Sequence, residues 1–109
     1  MPKKILLVED EAIIALNERH MLSNGGFEVE IAYSGEEGVR EATENRGIDL
    51  VLMDIDLGEG IDGTEAAQRI LEKRELPIVF LTGHAEKEMV DRVRGITGYG
   101  YVLKNSGEF

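Results

Sequence analysis

Cysteine is absent from the 109 residues, which excludes disulfides and thiolate-held metals. Histidine is scarce: His20 and His84 are isolated from each other in the chain, and two lone imidazoles argue against a zinc site. Both read as structural or solvent-facing side chains. Basic residues are outnumbered, 12 Lys and Arg against 22 Asp and Glu, and a net charge of −10 offers no basic face to neutralise phosphates. Direct nucleic-acid binding is therefore not expected. No apolar run near the N-terminus reaches signal-peptide or membrane-span length, so the expectation is a cytoplasmic protein with no membrane partner. The length suits one domain with a single core and is too short for an added catalytic or DNA-binding module.

What the chain does have is organised around Leu50-Val51-Leu52-Met53-Asp54, followed by Ile55-Asp56-Leu57-Gly58. An apolar run this short, bounded by polar and glycine-rich sequence, reads as a strand buried on both faces. Such strands belong to parallel sheets covered by helices, whose carboxyl edge is where ligands bind. Lys4 to Val8 is a second buried run, and it too ends in acids, Glu9 and Asp10. Two neighbouring strands would then bring three carboxyl groups to one pocket, where they repel unless a cation joins them.

Around these runs the chain alternates. A helix is predicted from Glu11 to Ser23, with Ile13, Ile14, Leu16, Met21 and Leu22 as its core stripe, stopped by Asn24-Gly25-Gly26. Phe27 to Ala32 alternates apolar and acidic residues, the pattern of an edge strand with one wetter face. Ser34 is a candidate N-cap, with Glu36 and Glu37 suited to the first turn of a helix that runs to about Arg46; its apolar face, Val39 and Ala42, is thin. The glycine-rich stretch Leu57 to Gly63 is either a flexible connection or a backbone that must approach a bound group closely. Thr64 to Glu75 returns to helix, Pro77 restarts extended chain, and Ile78 to Leu81 is a third buried run ending in Thr82. A short helix from Glu86 to Arg94 and a last strand from Gly100 to Lys104 complete a βαβαβαβαβ alternation. That pattern predicts an α/β fold with a doubly wound, five-stranded parallel sheet and right-handed crossovers. Its strand ends supply hard oxygens for Mg²⁺, a carboxylate nucleophile, a hydroxyl and a cation, the groups that metal-assisted phosphoryl transfer uses.

Those strand ends, in that order, resemble the receiver domain of two-component response regulators over essentially the whole chain. The resemblance implies a flavodoxin-like strand order 2-1-3-4-5. It further implies that Asp54 is the phosphoacceptor and that Glu9, Asp10, Asp54 and the backbone carbonyl of Asp56 bind Mg²⁺ or Mn²⁺. Thr82 and Lys104 would contact the phosphoryl group, and Tyr101, three positions before the lysine, would be the switch aromatic. The implied partners are a sensor histidine kinase or phosphotransfer protein, and a downstream effector or C-terminal output domain. A signalling switch is implied, not a turnover enzyme. Asn105 stands where the family carries proline after the lysine, and Ile96-Thr97-Gly98 replaces its Ala-Gly-Ala run.

Two other readings compete with this one. Asp54-Ile55-Asp56-Leu57-Gly58 resembles the Asp-x-Asp-x-Thr/Val motif of haloacid dehalogenase phosphohydrolases, but Gly58 breaks it and the motif lies mid-chain. A phosphorylation-independent module on the same fold would be preferred if an acid of the site were missing, and none is. The family also has a fifth helix, which Asn105 to Phe109 are too few to supply. The expectation is a receiver domain over residues 1–109 that is short at its C-terminus, destabilised or covered there by a further segment or a neighbouring molecule.

Overall fold

Four strands of five residues and one of three form a parallel sheet: β1 (Lys4–Val8), β2 (Glu28–Ala32), β3 (Leu50–Asp54), β4 (Ile78–Thr82) and β5 (Tyr101–Leu103). This computed structural model describes residues 2–82 and 101–103. The expected helix from Glu86 to Arg94, and Lys104 with the residues after it, lie outside the described residues. The strand order is β2-β1-β3-β4-β5, with α1 (Ala12–Asn24), α2 (Gly35–Glu44) and α3 (Gly63–Leu71) in the connections. The parallel sheet in the order 2-1-3-4-5 expected from the sequence is the sheet observed. β1 and β3 are central, and all but their first residues are buried, which is why they read as continuous apolar runs. β2 is the edge strand: Lys4 reaches across to Glu30 at 2.9 Å, and the acidic residues discourage pairing with another chain.

The core divides between the two sheet faces. The larger cluster includes Leu6, Val8, Val51, Met53 and Phe80 with Ala66, Ala67 and Ile70 of α3; the smaller is formed by Ile5, Leu7, Leu52 and Leu81 with Ala15 of α1. The buried face of α1 is not the expected stripe. Ile13 is 84% exposed, and Leu16 and Met21 are also exposed, whereas Ala15 and Glu18 are buried and Leu22 packs against the smaller cluster. At about 100° per residue, Ala15, Glu18 and Leu22 share one narrow arc, and Ile13 and Leu16 fall on the far side. The buried arc of the helix thus carries a small residue, an acid and a leucine, a choice apolarity alone does not reveal. It ends in a Schellman motif: Phe27 N–H donates to Leu22 O (3.3 Å) and Gly26 N–H to Ser23 O (3.0 Å), with Gly26 at φ +94°.

Ser34 caps α2 as expected, its hydroxyl accepting from Glu37 N–H at 3.1 Å, while the Glu37 carboxylate accepts from Tyr33 N–H at 3.2 Å. The thin face of α2 is thin because it is made of glycine. Gly35 and Gly38 are buried beside Ala42, and a Cβ on Gly38 would lie 2.8 Å from a Val8 methyl. α3 begins one residue earlier than expected, capped by Asp62, and ends at Leu71 rather than Glu75. Arg74, just beyond it, ties the two helices together. Its guanidinium donates to the carbonyl of Ala42 (2.9 Å), in the last turn of α2, and to those of Asn45 (3.2 Å) and Ile48 (3.3 Å), in the segment that leaves it. Arg74→Ala is expected to cost about 1.5–3 kcal/mol in urea melts, the range for hydrogen bonds to a charged group. Arg74→Lys should recover little, because an ammonium cannot reproduce the planar fork. Full recovery by lysine would refute that account.

Candidate functional site

The carboxyl ends of β1 and β3 lie side by side, with Val8 opposite Met53, so the next residues of both strands emerge together. Glu9 follows β1 and Asp54 ends β3; their exposures are 0% and 1%. Asp10 is half-buried beside them. Each of the three acids offers a carboxylate oxygen within 4.8 Å of the others. The backbone fixes them: Glu9 N–H donates to Ala32 O (3.0 Å), Glu11 N–H to Glu9 Oε1 (3.3 Å) and Asp56 N–H to Asp54 Oδ1 (3.3 Å).

Three anions this close repel by about 3–4 kcal/mol per pair at an effective dielectric near 20. A single divalent cation reverses the sign of that interaction. All three donors are hard oxygens, which suits Mg²⁺ or Mn²⁺. Two ligands on opposite sides of Mg²⁺ stand about 4.2 Å apart, so small rotamer changes would close the present spread onto one ion. The residues therefore fit the expected metal.

The other expected site residues are placed less completely. Asp56 is exposed, two residues beyond Asp54, at the start of the β3–α3 loop. Thr82 ends β4, one residue past Leu81, which pairs with Asp54, and it pairs in turn with Leu103. Tyr101 begins β5 opposite Phe80, two residues back from that edge. Lys104 lies outside the described residues.

Two glycines of residues 57–63 shape the pocket. Gly63 is pressed so closely on β3 that a Cβ there would overlap the Asp54 carbonyl oxygen and lie 2.9 Å from Ile55 Cα. Gly58, at φ +68°, leaves room for Asp10: its Cβ would lie 2.8 Å from Asp10 Oδ2. The close approach expected of this loop was to a bound group; the approach observed is to the protein's own atoms, which crowd Gly58, Gly60 and Gly63.

Residues 5–108 match the response regulator receiver domain family. The chain belongs to that family. Among curated relatives, the transcriptional regulatory protein PdtaR of Mycobacterium tuberculosis is 38% identical over 105 residues, 95% of this chain and 50% of PdtaR. Among solved structures, the N-terminal domain of a response regulator/sensory box/GGDEF 3-domain protein from Carboxydothermus hydrogenoformans is 46% identical, with a TM-score of 0.85 over 95% of this chain and 83% of that one. A CheY-like receiver domain protein from Methanospirillum hungatei is 28% identical, with a TM-score of 0.87 over 96% of this chain and 83% of that one. The chain spans half or less of the length of the curated relatives it matches first. Receiver domains are signalling modules of two-component systems; they generally bind Mg²⁺ and act with histidine kinases and output domains. Among the described residues, no helix is long and apolar enough to cross a membrane.

Proposed function

We propose that this receiver domain, over residues 1–109, takes a phosphoryl group from a phosphohistidine of a partner kinase or phosphotransfer protein onto Asp54. The observation that supports this most is the convergence of Glu9, Asp10 and buried Asp54 from two adjacent strands at the carboxyl edge of the sheet. Asp54 is fixed by β3 and by the Asp56 amide, so one carboxylate oxygen can attack phosphorus in line as the phosphorus–nitrogen bond of the donor breaks and the imidazole leaves. Glu9, Asp10, Asp54 and the Asp56 carbonyl would hold Mg²⁺, which when bound neutralises charge on the transferring group. Lys104 pairs with a phosphoryl oxygen, and Thr82 moves toward the new group. Tyr101 follows, biasing a two-state output surface toward a downstream effector or output domain.

The test is phosphorylation by acetyl phosphate with Mg²⁺, read by mass spectrometry. One added phosphoryl group that EDTA prevents is expected, and a gain equal with and without EDTA would sink the reading. Asp10→Ala should raise the Mg²⁺ half-saturation concentration at least about tenfold, since loss of even a supporting partner typically costs 10–100-fold in metal affinity. Unchanged metal affinity by titration would count against the pocket.

A further inference from the structure

We infer that Glu36, on the first turn of α2, is a positioning residue for the acidic pocket and acts through the β3–α3 loop. The consequence for metal binding rests on the phosphoacceptor reading; the geometry does not.

The loop is anchored at both ends, by buried Leu57 and by Ile61 packed on the larger core cluster. Its exposed tip, Gly58-Glu59-Gly60, has positive φ at both glycines, +68° and +86°. Each glycine leaves the place of a side chain to an acid from elsewhere in the fold. On one shoulder, a Cβ at Gly58 would meet Asp10 Oδ2 at 2.8 Å; on the other, a Cβ at Gly60 would meet Glu36 Oε2 at 2.6 Å and Oε1 at 2.8 Å. Glu36 Oε2 also accepts the Ile61 N–H, at a long 3.4 Å. Gly35, its neighbour, is in close contact with Ile61, since a Cβ there would lie 2.6 Å from Ile61 Cγ1 and 2.8 Å from its carbonyl oxygen. The first turn of α2 therefore contacts the loop at Gly60 and Ile61, at the other end of the tip from Gly58, which lies against Asp10. A Glu at this position looks like a helix-dipole residue, yet its carboxylate is directed to the loop backbone.

Releasing that contact lets the tip swing away, which loosens the wall beside Asp10 and the backbone of Asp56. The acids would keep their identity and lose their spacing. For a metal site such a loss of support is read as weaker binding with the fold intact.

The experiment compares the native chain with Glu36→Ala, Glu36→Gln and Gly60→Ala, by amide hydrogen exchange, Mg²⁺ titration and urea unfolding. Glu36→Ala is expected to speed exchange of the Ile61 amide and raise the Mg²⁺ half-saturation concentration about three- to tenfold, with an unchanged unfolding midpoint. Glu36→Gln, which keeps an acceptor oxygen, should recover most of both effects. Gly60→Ala, alone and combined with Glu36→Ala, should weaken Mg²⁺ binding in the same direction, the double variant by less than the sum of the single losses, because the shared contact is lost once while the strain of alanine at φ +86° is added. Glu36→Ala with native Mg²⁺ affinity, or strictly additive losses in the double variant, overturns the inference. A native chain that binds no Mg²⁺ overturns the phosphoacceptor reading and this inference together, an outcome distinct from failure of Glu36 alone.

Discussion

Asp54→Asn is expected to abolish phosphorylation while leaving the fold intact or more stable. The amide has the size of the carboxylate and its oxygen can still accept the Asp56 N–H that Asp54 accepts at 3.3 Å, so β3 and the loop keep their geometry. It lacks the anionic oxygen that attacks phosphorus, and none of the neighbouring acids ends the central strand. It also removes one of three anions that lie within 4.8 Å of one another, relieving repulsion of about 3–4 kcal/mol per pair, an upper bound once solvent and side-chain motion respond. Without metal, the urea midpoint should equal or exceed that of the native chain. With Mg²⁺, the added stability seen in the native chain should shrink, because less of the ligand charge remains. A phosphoryl group still gained by Asp54→Asn from acetyl phosphate would place the acceptor elsewhere.

Gly63→Ala should be the most damaging single-methyl addition among the described glycines. Helix propensity argues the other way, since alanine is favoured over glycine in a helix by about 1 kcal/mol. Sterics decide against it. The new Cβ would overlap the carbonyl oxygen of Asp54 and stand 2.9 Å from both the Asp54 carbonyl carbon and Ile55 Cα, all of them backbone atoms that cannot rotate aside. Gly63 N–H donates to Ile55 O at 2.9 Å, which fixes the helix start against the strand it would have to leave. Overpacking against yielding side chains costs about 1–3 kcal/mol, so about 3 kcal/mol or more is expected here, out of a total on the order of 5–15 kcal/mol. Gly47→Ala is the control: its Cβ would meet only the end of the Asn45 side chain, at 3.2 Å. A Gly63→Ala chain with an undiminished unfolding midpoint would show that α3 can shift without cost.

Much of this was legible from residue types. Short apolar runs and the Ser34, Gly26 and Pro77 punctuation located the described strands and helices to within a few residues, because burial on both faces and capping are local demands. The convergence of Glu9, Asp10 and Asp54 followed from strand ends meeting at one edge. Two things were hidden. The orientation of α1 depends on which face the sheet accepts, and Glu18 and Ala15 were taken in place of Ile13 and Leu16. The glycine contacts were also hidden, since a missing side chain shows in a sequence only as weakness. Gly35, Gly38 and Gly63 proved to be places where backbones or side chains meet at close range.

The strand order also bears on how the chain assembles as it emerges during synthesis. β1 finds both of its neighbours, β2 and β3, by residue 54, so the middle of the sheet and all three acids can be gathered from the first half of the chain. β4 and β5 then join in order on one growing side, each beside the strand made just before it, with no need to insert between strands already paired. Elongation and assembly therefore run in the same direction, which suits a chain whose N-terminal part can begin folding before the rest is made.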